Sequence, residues 1–303
     1  MMINRRSLWA LGLALILLIS LTGCGLFGRT KKSGPVGDLK MKVAVAPFDD
    51  PLNLVEKELS GKTAALLAKY LDESRDVLVI GPAEVQNFLT AKQIPTPLTQ
   101  NSAVLLGRSL GVNAMVIGSL SEFSQIQERT GWLRWLTFWS KKKDFIKAVL
   151  SVKVVDPAQG TIIAADVGRG MTQTGQKEED LWMGNPSQGL DESLLKASLE
   201  KAAQALAESL VRELKQTRWQ GFILDVSGDT ALLSGGRDVG IKPGHRFVVF
   251  SAGEKVTNAA GQVYIIPGPV KAQLAAEQVL ERTTKLRIMS GEVHPGEAAQ
   301  YTE

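Results

Sequence analysis

The sequence predicts an α/β domain, a sheet flanked by helices, followed by a small all-β domain closed as a barrel. Between positions 41 and 215, short valine-rich runs alternate with stretches of helical periodicity, the signature of an α/β unit. Inside that region Ile146, Ala148, Leu150, Val152 and Val154 share one face of an alternating strand. From Trp219 onward the helical period disappears, and short apolar runs are punctuated by Ser227-Gly228-Asp229, Gly235-Gly236, Pro243-Gly244, Pro267-Gly268 and Pro295-Gly296. With 303 residues, 44% of them hydrophobic, the chain is long enough to bury two ordinary cores.

The amino-terminal stretch decides where the rest of the chain works. Arg5 and Arg6 form a positive region, and Leu8 to Leu21 is apolar but short for a helix that must span a hydrocarbon core of about 30 Å. It ends in Leu21-Thr22-Gly23-Cys24, a branched apolar residue, two small residues and the chain's single cysteine. This looks like a lipobox, so residues 1–23 are expected to be a removable signal, with Cys24 as the site of lipid attachment. Losing Arg5 and Arg6 lowers the formal charge from +4 to +2, which gives no electrostatic reason to expect a nucleic-acid partner. Acyl chains bind a bilayer at about 0.8 kcal/mol per buried methylene, so a multiply acylated Cys24 holds the protein to the membrane. Residues 24–40 carry Gly25, Gly28, Ser33, Gly34, Pro35 and Gly37 among Arg29, Lys31 and Lys32, the composition of a flexible tether. Gly25 after the cysteine, where Asp would mark another destination, resembles lipoproteins sorted to the outer membrane.

The elements follow in order. Met41 to Phe48 reads as a buried strand stopped by Asp49, Asp50 and Pro51. Val55, Leu59, Leu66, Leu67 and Tyr70 recur at helical spacing, and Ala64, Ala65 and Ala68 favour a helix over Leu52 to Leu71. Asp76 to Ile80 is a second strand; Pro82 suits the first turn of a helix through Phe88 to Ala91. Leu98 to Leu110 forms another helix ended by Gly111, and Ala114 to Ile117 begins a third strand. Ile146 to Val155 and Thr161 to Val167 form a hairpin around Asp156-Pro157-Ala158-Gln159-Gly160. Asp191 is a suitable N-cap for a long helix carrying Leu195, Leu199, Ala202, Leu206, Leu210 and Leu214 on one stripe. Domains are therefore expected over 41–217 and 218–303.

MKVAVAPF, GVNAMVIGSLSEF, LSVKVVDPAQGTIIAA and LLKASLEKAAQALAESLV resemble the periplasmic domain of the CsgG family of curli secretion lipoproteins, with related folds in the TolB amino-terminal domain. GFILDVSGDTALLSGGRDVGIKPGHRFVVF and KLRIMSGEVHPGEAA are similar to the FlgT carboxyl-terminal domain, which implies an SH3-like barrel. His245 follows Pro243-Gly244 where such sequences often carry Asp, and reads as a turn residue. The resemblance implies fold more sharply than function.

Chemistry-bearing patterns are sparse. Gly61-Lys62-Thr63 has the end of a phosphate-binding loop but lies inside a helical pattern, and Glu56 stands where the first glycine is needed. Asp49 and Asp50 occupy the carboxyl end of the first strand, where α/β proteins often place ligands, but the reading preferred for them is the turn and helix entry. One cysteine destined for lipid excludes a dithiol or cysteine-zinc site, and two histidines, His245 and His294, make no metal site alone. No catalytic residue and no cofactor are assigned.

Gly131 to Lys143 (GWLRWLTFWSKKK) is the unusual stretch. As a helix it lines up Trp132, Trp135 and Trp139 beside Lys141, Lys142 and Lys143, which suits a membrane headgroup boundary or a partner groove. In the CsgG family this connection holds the first membrane-entering hairpin. A spanning barrel strand needs about 9 to 11 residues with an apolar residue at every second position. Leu120 to Thr130 does not alternate, Asp166, Arg169 and Gln173 interrupt the second candidate row, and Gly184-Asn185-Pro186-Ser187 breaks its return. The function expected is a lipid-anchored periplasmic binding or scaffold module for an envelope or secretion structure, without enzymatic activity. The alternatives are a CsgG-like outer-membrane export channel subunit and an activator of a cell-wall synthase. The expected partners are the membrane, through Cys24, and an envelope protein; homo-oligomerisation is left open.

Overall fold

Met41–Val45 (β1) is buried at all five positions, which a strand tolerates only in the middle of a sheet covered on both faces. The computed structural model describes residues 39–51, 57–130, 141–174, 192–257 and 263–302. Within these residues β1 is followed by helix α1 (Lys57–Glu73), strand β2 (Val77–Ile80) and helices α2 (Pro82–Ala91) and α3 (Gln100–Leu110). Strands β3 (Ala114–Thr130), β4 (Lys141–Val155) and β5 (Ile162–Gln173) come next, then the long helix α4 (Glu192–Leu214). The sheet order is β2-β1-β3-β4-β5; β1 runs parallel to β2 and β3, and the other neighbours are antiparallel.

Local chemistry fixes the helix ends. Pro82 opens α2, where its missing N–H costs nothing. Helix α3 begins two residues later than Leu98, because Thr99 caps it: its hydroxyl accepts from the Ser102 N–H while the Ser102 hydroxyl accepts from the Thr99 N–H. Gly111 ends α3 at φ 63°, and a Cβ there would lie 2.8 Å from Ser234 Cβ. Both the left-handed turn and the close approach require glycine.

The sheet divides the core. Val43, Val45, Val116, Leu120, Leu150 and Val154 pack against Leu67 and Leu71 of α1 and Leu199, Leu206 and Leu210 of α4. Ala44, Met115 and Val155 pack on the other face, against Val85 and Leu89 of α2 and Ala103 and Leu106 of α3. Gly168 and Gly170 let β5 touch α4: a Cβ on Gly170 would stand 1.8 Å from the Ser198 carbonyl oxygen.

The second half is a closed barrel, ordered β11-β12-β7-β6-β13-β8. Its strands are β6 (Gln220–Ser227), β7 (Thr230–Leu233), β8 (Arg246–Phe250), β11 (Val270–Val279), β12 (Thr284–Gly291) and β13 (Ala298–Thr302). Strands β9 (Glu254–Thr257) and β10 (Val263–Ile266) form a separate ribbon between β8 and β11. The predicted fold class, an α/β sheet flanked by helices with a small β-barrel after it, is the fold observed. The hydrophobic core is continuous across the two parts, running from Met41 through Trp219 and Phe247 to Tyr301.

One expectation is corrected. Lys141, Lys142 and Lys143 are not on a helix: they are strand, paired with Thr130, Arg129 and Glu128. Leu120 to Thr130 completes β3, with a bulge between Leu120 and Glu122; on either side of that bulge the sequence still shows no apolar alternation, as expected.

Candidate functional site

Helices α2 and α3 cover only part of their face of the sheet. Beyond them the bare surface of β3, β4 and β5 forms the floor of a cleft of about 500 Å³, within the size range of small-ligand sites. Antiparallel register brings Ile117 opposite Lys153, Ser119 opposite Ser151 and Val167 opposite Ser151, so these side chains share the floor. One wall is Pro47 to Asp49 and the other Thr96 to Leu98. Asp49 is fixed by its backbone: its N–H donates to the Gly118 carbonyl at 3.0 Å, and its carbonyl accepts from the Leu120 N–H at 2.9 Å. The Ser121 hydroxyl donates to Ser151 Oγ at 2.6 Å. Farther along this face Lys147 Nζ reaches both Glu122 carboxylate oxygens at 2.9 Å. That bond, with one from Ser124, holds the Glu122 carboxyl below its ordinary range.

Beside the cleft lies a buried polar seam that joins sheet to barrel. Asp156 closes β4, and its Oδ1 accepts from the Ala158 N–H at 2.7 Å and the Gln159 N–H at 3.2 Å, making the predicted turn. The same carboxylate accepts from Gln220 Nε2, the first residue of the barrel, with both oxygens at 2.9 Å. Burial pushes the Asp156 carboxyl up from 3.8, and the bonds from Gln159, Ala158 and Gln220 oppose that shift. Asn113 is 3% exposed and bridges the same parts: its Oδ1 accepts from the Lys42 N–H at 2.6 Å, and its Nδ2 donates to the Gln220 carbonyl. Lys42 Nζ pairs with Asp238 at 3.4 Å, and Trp219 Nε1 donates to the Lys40 carbonyl at 3.1 Å.

The residues singled out from sequence fall unevenly on this frame. Cys24, Trp132, Trp135, Trp139 and Asp191 lie outside the described residues. Lys141, Lys142 and Lys143 begin β4, away from the cleft, and Gly61-Lys62-Thr63 lies within α1. Asp49 lines the cleft, whereas Lys153, Asn113 and Gln220 carry no local motif. Only the turn signal at Asp156 pointed towards the seam. Among the described residues no group of three or more His, Cys, Asp or Glu is placed to hold a metal ion, and no helix is long and apolar enough to cross a membrane.

A mixed sheet with helices on both faces, a cleft on its bare strands and a barrel docked through buried hydrogen bonds defines a two-part α/β body. The chain belongs to the CsgG family: the model of the curli production assembly/transport component CsgG matches residues 31–237. Among solved structures, it is similar to the hypothetical protein CT253 from Chlamydia trachomatis, with 16% identity, 59% of this chain and 99% of that one covered, and a TM-score of 0.37. Lipoprotein GNA1162 from Neisseria meningitidis gives 12% identity, 58% and 99% coverage and a TM-score of 0.33. The LpoB C-terminal domain from Salmonella enterica gives 11%, 45% and 84%, and 0.30. No curated protein matches the chain.

Proposed function

We propose that the protein is a lipid-anchored periplasmic lipoprotein, on the outer membrane, that binds and positions other envelope proteins during assembly or secretion. In this reading residues 1–23 are removed, Cys24 is acylated, 24–40 tether the body, and 41–217 and 218–303 are its two domains. The observation that supports it is the cleft on β3, β4 and β5, carried by a sheet to which the barrel is locked through Asn113, Asp156 and Gln220. A scaffold must hold surfaces in fixed relation, and a buried hydrogen-bonded seam does so where a flexible linker would not. Membership in a family described by assembly and transport agrees with that role.

Two experiments test it. A fatty-acid analogue fed to cells should label the wild type and leave Cys24→Ser unlabelled; equal labelling of both proteins refutes the anchor. A photoreactive side chain at position 153 or 167 should crosslink an envelope protein in cells, and no crosslink at either position refutes the binding role. A second contact is proposed at Trp132, Trp135 and Trp139 with Lys141, Lys142 and Lys143. Replacing the three tryptophans by Ala should abolish attachment of a chain lacking residues 1–24 to anionic vesicles, an attachment that weakens with salt.

One observation favours a second reading, an export-channel subunit. Beyond Phe145, the last β4 residue with a β5 partner toward Lys141, β3 and β4 continue as a two-stranded ribbon to the pair Thr130–Lys141. The residues paired there, Gln127–Asp144, Glu128–Lys143, Arg129–Lys142 and Thr130–Lys141, are all polar, whereas a spanning strand needs an apolar residue at every second position, which is why the scaffold is preferred. Steady conductance of purified oligomer in a planar bilayer would reverse that preference.

A further inference from the structure

The cleft contains one acid and one base that do not meet. Asp49 is half-buried, and its carboxylate has no hydrogen bond or ion pair among the described residues; the Lys153 ammonium has none either. Elsewhere comparable charges are paired: Lys147 with Glu122, Lys271 with Glu297, Lys42 with Asp238. The sheet register explains the exception. Asp49 bridges Ser119, Ser119 lies opposite Ser151, and Lys153 stands two residues along β4 from Ser151. Two strand spacings and one two-residue step separate the backbones of Asp49 and Lys153 by roughly 12 Å. Between them lie Ile117 and Ala165, with Pro97 and Leu98 on the wall, and the hydroxyls of Ser119 and Ser151. Because Ser151 Oγ accepts from Ser121, its own hydrogen is free to donate.

We infer that the cleft binds a short extended peptide bearing a cation at one end and a carboxylate at the other. The cationic end lies on Asp49 and the carboxylate on Lys153. Three extended residues span about 10 Å, which matches the interval once the two side chains reach inward. The serine hydroxyls meet the peptide amides, and Ile117, Pro97 and Ala165 accept small apolar side chains. A ligand ammonium on Asp49 and a ligand carboxylate on Lys153 each form a charge-assisted contact that no described residue supplies. A ligand with only one of the two charges leaves one group unpaired, so the pair of charges is the specificity element. This assignment rests on the proposed binding role and names the ligand class of its cleft.

The test titrates the full-length protein in detergent micelles with three probes by calorimetry: trialanine, N-acetyl-trialanine and trialanine amide. Trialanine should bind, and blocking either end should weaken binding at least tenfold. Asp49→Asn should weaken trialanine at least tenfold but leave N-acetyl-trialanine unchanged, since that probe has no cation to lose. Lys153→Gln should do the same for trialanine and leave the amide unchanged. Lys153 is exposed and its replacement does not touch the core, so this arm survives even if Asp49→Asn misfolds. Equal binding of all three probes, or equal loss of all three in either folded variant, overturns the assignment. Failure of trialanine to bind while position 153 still crosslinks an envelope protein removes the peptide class and leaves the binding role standing.

Discussion

Asn113 ties the start of the sheet to the start of the barrel, and replacing it by Ala isolates that tie. The amide accepts from the Lys42 N–H at 2.6 Å and donates to the Gln220 carbonyl, while the Asn113 N–H donates to the Lys42 carbonyl at 2.8 Å and survives any side-chain change. Asn113→Ala therefore strands one backbone donor and one backbone acceptor in a place that is 3% exposed. Each unsatisfied buried group costs about 1–3 kcal/mol, so the variant should lose about 2–5 kcal/mol, less what water recovers by entering. In a body of this size that corresponds to a fall of roughly 5–15 °C in melting temperature. Asn113→Asp keeps the acceptor for Lys42 but turns an oxygen toward the Gln220 carbonyl, so it should be no better than Ala at neutral pH and should recover on acidification. Urea unfolding followed by circular dichroism measures the loss, and hydrogen exchange at the Lys40 and Lys42 amides locates it. A shift in stability below about 0.5 kcal/mol, with both amides still protected, would refute the claim that this side chain holds the seam.

Other substitutions separate packing from charge. Gly170→Ala places a methyl 1.8 Å from the Ser198 carbonyl, and α4 cannot retreat without lifting Leu199 and Leu206 from the core; thermal unfolding should show a loss of about 3 kcal/mol or more. Gly61→Ala meets nothing within 4 Å and sits in a helix, so the same assay should show a gain of up to about 1 kcal/mol. Asp156→Asn tests the buried carboxyl. Because burial raises its folded pKa above 3.8, its contribution to stability is fully present below that value and is lost as pH rises through the folded pKa. The stability of Asp156→Asn relative to the wild type should therefore climb with pH from about 4 upward; parallel stability curves would refute the assignment.

The fold was legible wherever one segment carried its own signal. Strand β1 and helices α2 and α3 announced themselves by an apolar run, a proline at a first turn and a glycine at a helix end. The barrel was legible from its turn residues, because a closed small barrel needs a sharp reversal after nearly every strand. What failed was long-range pairing. Lys141 to Lys143 follow tryptophans spaced at helical intervals in the sequence, yet the ladder to Thr130, Arg129 and Glu128 pairs their backbone as strand, and no local pattern encodes that partner.

The candidate site was half legible for the same physical reason. Asp49 drew notice because it ends a buried strand, but Lys153 reads only as the solvated side of an alternating one, and their relation depends on the register across three strands. Asp156 was visible as the residue that starts a turn. Its second bond, to Gln220, belongs to the barrel and could not be inferred from the turn. That second bond links the two features, since Asp156 follows Lys153 by three residues on the strand that floors the cleft. The barrel thus restrains the end of the strand that presents the cleft's cation, and a variant that loosens the seam should also loosen the cleft. Weakened trialanine binding in Asn113→Ala at a temperature where the variant remains folded would show that coupling; unchanged binding would show that the sheet holds Lys153 without help from the barrel.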